Sequence, residues 1–214
     1  VTTTAAQTFN DGVTVGADTT FAGTDLSFNG ALDGGSNVTL SGSGTTTLNV
    51  VGGTTALTSL TTDAAGTTSL NGNVSTTANQ TFNDAVTLGG DATLAGVDVN
   101  FASTINGGAN LVVNASGTTT FGAEIGGTTA LTSLTTDAAG TLANILADVT
   151  TTGDQSFGEA MTLGASVTFT GANVTLGDSA ALGANNLTLD VTGATSSTAG
   201  GISGTGQLLS LIHI

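Results

Sequence analysis

Fifteen carboxylates and one imidazole are the only side chains here that exchange protons near neutral pH: thirteen Asp, two Glu and His213. Asp11, Asp18 and Asp25 stand seven residues apart, and so do Asp84, Asp91 and Asp98. Two carboxylates sharing a pocket perform general acid–base chemistry or glycoside hydrolysis. An even seven-residue beat instead predicts one acid at each corner of a coiled chain, facing water, with cation binding as its remaining option. The tandem calcium repeat GGxGxDxUx needs a second Gly and an Asp. DGGSN at 33–37 and GGAN at 107–110 lack both. EF-hand, phosphate-loop, zinc and nucleophile-elbow patterns do not occur. Cys is absent, so thiolate chemistry and disulfides are excluded. A Ser nucleophile would need a His base, and the one His lies in the last six residues. The residues therefore nominate no catalytic, cofactor-binding or metal-ligating position.

The same inventory bounds the partners. The formal charge is −15 with no Lys or Arg. Nucleic acid is a poor partner, because phosphate binding needs basic side chains to displace counterions. An anionic membrane surface is disfavoured for the same reason. No apolar run approaches the roughly 20 residues of a membrane-crossing helix. Membrane barrels carry aromatic girdles, and Trp and Tyr are both absent.

The elements that position these groups come from repetition. Gly52 to Thr67, GGTTALTSLTTDAAGT, recurs letter for letter at Gly126 to Thr141. Three longer units open VTTTAAQTFNDGVTVGAD at Val1, VSTTANQTFNDAVTLGGD at Val74 and VTTTGDQSFGEAMTLGAS at Val149. They align Phe9 with Phe82 and Phe157, and Asp11 with Asp84 and Glu159. Units 1–73, 74–148 and 149–208 form one segment. The pattern changes near Gly193, where AGGISGTGQLL replaces the expected Gly-Gly block.

Within each unit, short alternations such as VTV, TTF, LSF, VTL and LTLDV are separated by Gly, Asn and Asp. Apolar residues at i and i+2 with Thr, Ser or Asn between them mark half-buried strands. The chain has 46 Thr, 33 Gly and no Pro, a composition suited to extended, ladder-forming backbone. Strands this short cannot each bury a core alone. Three of them make a loop of about twenty residues, the interval at which Phe9, Phe28 and Leu48 recur. The prediction is an all-β parallel β-solenoid whose coils stack in register around an apolar interior. A unit would span about four coils, and the whole a rod on the order of 50 Å at about 4.8 Å per coil. Leu57, Leu60, Leu131 and Leu134 are expected inside, with Asp63 to Gly66 as a corner.

Gly201 to Leu208, GISGTGQL, looks like the opening of a repeat found in autotransporter passengers. With LTSLTTDAAGT and the VTTT…QTFNDAVTLG openings, Val1 to Leu208 resembles the repeat regions of filamentous-haemagglutinin-like and autotransporter adhesins. The resemblance implies a right-handed parallel β-solenoid within a very large exported bacterial protein at the cell surface. It implies a stalk or adhesive role in attachment or biofilm formation, with glycans or proteins of host or neighbouring cells as partners, besides the rest of the same long chain. Polysaccharide lyases on β-helices abstract a proton with Lys or Arg, neither of which is present, so no enzyme is expected. A passive spacer or surface-layer scaffold is the alternative. An ice-binding Thr array is weaker: Thr-x-Thr pairs at 2–4, 45–47, 118–120 and 150–152 do not recur once per coil. Residues 209–214, LSLIHI, read as a translated transposon-end sequencing adaptor, so the natural chain is expected to continue differently there.

Overall fold

The computed structural model describes residues 1–193, 195–197 and 200–212. All the regular elements there are β-strands, and every strand pairing is parallel. The solenoid prediction holds, with about ten coils of about twenty residues. Three faces run the length of the winding. The first begins with Gln7–Phe9, Leu26–Phe28 and Thr45–Leu48, and resumes beyond Ile125 at Val149–Thr150. A second begins with Val13–Thr14 and Leu32–Asp33 and continues through Val51 to Val74–Ser75. Ten strands form the third, from Thr19–Gly23 to Ile202–Gly204.

Alternation decides which side chains fill the interior. In Leu26–Phe28 and Val99–Phe101 the outer two residues are buried and the middle one half-buried. Phe9, Phe28 and Leu48 stack in register, as their spacing predicts. Leu57, Leu60, Leu131 and Leu134 are all fully buried. Like residues meet across coils, so Phe82, Phe101 and Phe121 form a column with centroids 5.1 and 5.6 Å apart and rings nearly parallel. Offset stacking of this kind adds about 0.5–1.5 kcal/mol per pair beyond the area buried.

The long repeat does not match the coil. Gln7–Phe9 lies on the first face, Gln80–Phe82 on the third and Gln155–Phe157 on the second. Each opening follows the last by eleven strand positions, counting the bridges at Val51 and Ile125, and three positions make a coil. A unit is therefore three and two-thirds coils, not four. Equivalent residues turn by a third of a revolution between units. The two identical sixteen-residue segments accordingly sit around different corners: one leads from Val51 on the second face to Ser59–Thr62 on the third, the other from Ile125 on the first face to Ser133–Thr136 on the second.

Those segments carry strict backbone demands. Gly52 and Gly126 have φ of 68° and 73°. A Cβ there would lie 2.2 Å from Ser75 O or 2.1 Å from Thr150 O. Only Gly fits both the left-handed conformation and the close approach. Asp63 to Gly66 forms the predicted corner between Ser59–Thr62 and Thr67–Leu70. Residues Leu208–Ile212 pair with Leu187–Val191 on the first face. His213 lies outside the described residues.

Candidate functional site

The corner acids act as clamps between coils. Asp18 accepts both the backbone N–H and the side-chain amide of Asn37, each at 2.9 Å. Asp25 accepts Thr45 N–H at 2.7 Å, Asp91 accepts Asn110 N–H at 2.9 Å and Asp98 accepts Thr118 N–H at 2.8 Å. Each receives a backbone donor from the next coil that the corner would otherwise leave without a strand partner. The Asn37 side-chain bond chiefly, with its backbone bond, holds Asp18 below the usual carboxylate range. The Asn110 backbone bond does the same first for Asp91. Among the described residues no three acidic, His or Cys side chains gather as a metal centre. Asp33 of DGGSN, and Asn106 immediately before GGAN, clamp in the same way. Asp33 Oδ1 accepts Thr54 and Thr55 N–H at 2.9 and 3.2 Å; Asn106 Oδ1 accepts Thr128 and Thr129 N–H at 2.9 and 3.1 Å.

One acid of the seven-residue series breaks the expected pattern. Asp84 does not face water; it is 4% exposed and points inward, as does its counterpart Glu159 at 3%. Asp11 in the first unit is exposed. Burial becomes possible for Asp84 because two hydroxyls from the preceding coil meet it: Thr62 Oγ1 donates at 2.6 Å and Thr68 Oγ1 at 2.8 Å. Desolvation still pushes the Asp84 carboxyl above its ordinary range, and Asp63 adds repulsion. Glu159 is likewise pushed up, by desolvation first and by Asp137 in part.

A further set of polar residues is legible only in retrospect. Gln7, Gln80 and Gln155 are buried at the start of their strands. Each donates from Nε2 to a carbonyl one coil on: Ala22 O at 2.6 Å, Ala95 O at 2.9 Å and Thr170 O at 2.9 Å. The signal was present, since all three unit openings carry Gln two residues before the aligned Phe.

The outer surface carries single polar residues in register. On the third face Thr20, Thr39, Thr61, Thr81, Asn100 and Thr120 pair in order from coil to coil. On the first face Thr8, Ser27, Thr47, Ser69, Thr87 and Asn106 do likewise. The expectation from Thr-x-Thr pairs missed these columns because their members neighbour one another across coils, not along the chain. Near the boundary with the second face Asn29 donates to Asn10 Oδ1 at 2.8 Å and Asn71 to Asn49 Oδ1 at 3.1 Å. Among the described residues no helix is long and apolar enough to cross a membrane. The fold and its clamped corners define a parallel β-solenoid whose faces carry columns of hydroxyl and amide side chains between acidic corners. Comparison with family models, with curated proteins and with solved structures gives no match.

Proposed function

We propose that this chain is a rod-forming segment of a large exported bacterial surface protein, acting as a stalk that is also a polyvalent adhesive surface. The observation that carries the reading is the mismatch between repeat and coil. The unit openings, set three and two-thirds coils apart, present equivalent surface on three faces in turn, so contact does not depend on how the rod is rotated when it meets another surface. Columns of Thr, Ser and Asn supply neutral donors and acceptors at about 4.8 Å intervals. Many weak contacts of that kind sum through effective concentration. Glycans and polar protein surfaces on host or neighbouring cells fit such donors and acceptors. The net charge of −15 disfavours nucleic acid and anionic lipid.

The experiment is a length-preserving exchange in the bacterial protein that carries the segment. Replacing residues 1–208 with unrelated coils of equal number is expected to abolish or sharply reduce attachment, because the columns are gone while the reach is kept. Undiminished attachment would reduce the segment to a spacer and overturn its adhesive role.

A further inference from the structure

We infer that Glu159, Asp137, Thr119 and Thr136 form an internal site for one hard divalent cation, for which calcium is the probe. In the second unit, the equivalent acid has its donors: Asp84 takes hydroxyls from Thr62 and Thr68. The third unit keeps the counterpart of Thr62 as Thr136, but the register place of Thr68 passes to Ala143. The acid there is longer by one methylene. Its carboxylate lies near the hydroxyls of Thr136 and Thr119 and beside the negative charge of Asp137.

The result is an interior cluster short of partners. Glu159 Oε1 and Oε2, Asp137 Oδ1 and Thr119 Oγ1 are all buried atoms that close no hydrogen bond of good geometry, although the Thr136 and Thr119 hydroxyls stand close enough to the Glu159 carboxylate to offset part of the effect of burial. Thr119 is fully buried and Glu159 is 3% exposed. Backbone oxygens converge on the same place. A Cβ on Gly140 would lie 2.9 Å from Ala115 O, and 3.4 Å from both Gly117 O and the Glu159 carboxyl carbon. The chain has no Lys or Arg to neutralise the two acids. One proton would satisfy one of three bare carboxylate oxygens, whereas a cation is attracted by all of them. Carboxylate, hydroxyl and carbonyl oxygens are the ligands calcium takes, in adaptable numbers.

The test uses the whole chain, stripped with chelator and titrated with calcium at constant ionic strength. Direct binding is followed by calorimetry, and the melting temperature is read in parallel. The wild-type chain is expected to show one site tighter than the diffuse binding of its other acids. Its melting temperature should rise by about 5 °C at saturation, from mass action on the folded state. Glu159→Gln and Thr119→Val should each remove that site and the rise, and Asp84→Asn should keep both. Should Glu159→Gln fail to fold, Thr119→Val keeps the test decisive. Equal calcium binding by wild type and Thr119→Val, or no tight site in wild type, overturns the proposal. So would a Glu159 that titrates as a simple proton-holding acid unaffected by calcium.

Discussion

Phe101 lies between Phe82 and Phe121 in the interior, with a stacked ring above and below. Phe101→Ala is expected to lower stability by about 3–5 kcal/mol, the cost of a large cavity in a packed core, read as a shift in urea midpoint. The buried acids give a pH dependence of opposite sign to the usual carboxylate case. Asp84 and Glu159 are raised in the folded chain above their ordinary values of 3.8 and 4.5. The folded state therefore binds protons more tightly than the unfolded one, and their stabilisation is complete below those values and lost as pH rises through the folded ones. In chelator, melting temperature should rise as pH falls from neutral through the raised folded-state values, and the double change Asp84→Asn with Glu159→Gln should flatten that rise. Asp18 and Asp91, held below 3.8 by Asn37 and Asn110, act in the other direction and lose their clamps only at lower pH. A melting temperature that stays level from neutral pH down to the ordinary glutamate value of 4.5 in the unsubstituted, chelated chain would contradict this assignment.

At the scale of strands and corners, Gly66 is the most exacting of the glycines with positive φ. Its φ is 76°, and a Cβ would lie 2.0 Å from Gly44 O. Gly66→Ala should cost more than the roughly 1 kcal/mol of a strained left-handed residue alone, because backbone must also move. Asp25→Ala removes the acceptor for Thr45 N–H and should be milder, measured in the same urea series. The strands themselves were readable from the chain. Val99–Phe101 and Leu26–Phe28 announce themselves by alternation alone, since period-two burial is a local property. Coil contacts are not local, and that is where the sequence was silent. Asp84 carries the same letters as a water-facing acid, and only the register against Thr62 and Thr68 reveals that it is buried. The Thr20, Thr39 and Thr61 column was hidden for the same reason: its members stand 19 and 22 residues apart.

For the whole molecule, the repeat predicts that one unit can be removed entire. Deleting residues 74–148 removes one full repeat and rotates everything beyond it, yet each new junction reproduces a pairing already present, as Leu60 with Gln80 repeats in Leu134 with Gln155. The shortened chain should melt in a single transition with parallel-sheet circular dichroism. Loss of cooperative melting would mean that the units are not interchangeable. The proposed stalk and adhesive roles both draw on this modularity, because a rod that tolerates unit addition changes reach without changing its surface.

The claim beneath all of this is that each strand lies in register on the strand one coil further along. The chain contains no Cys, so engineered pairs report without background. Thr81 pairs directly with Asn100 on the outer side of the third face, at the Cα separation a disulfide accepts. Thr81→Cys with Asn100→Cys should close within one chain under mild oxidation, and Thr81→Cys with Ala102→Cys, two residues out of register, should close far more slowly. Preferential closure of the shifted pair, or cross-linking only between chains, would contradict the winding.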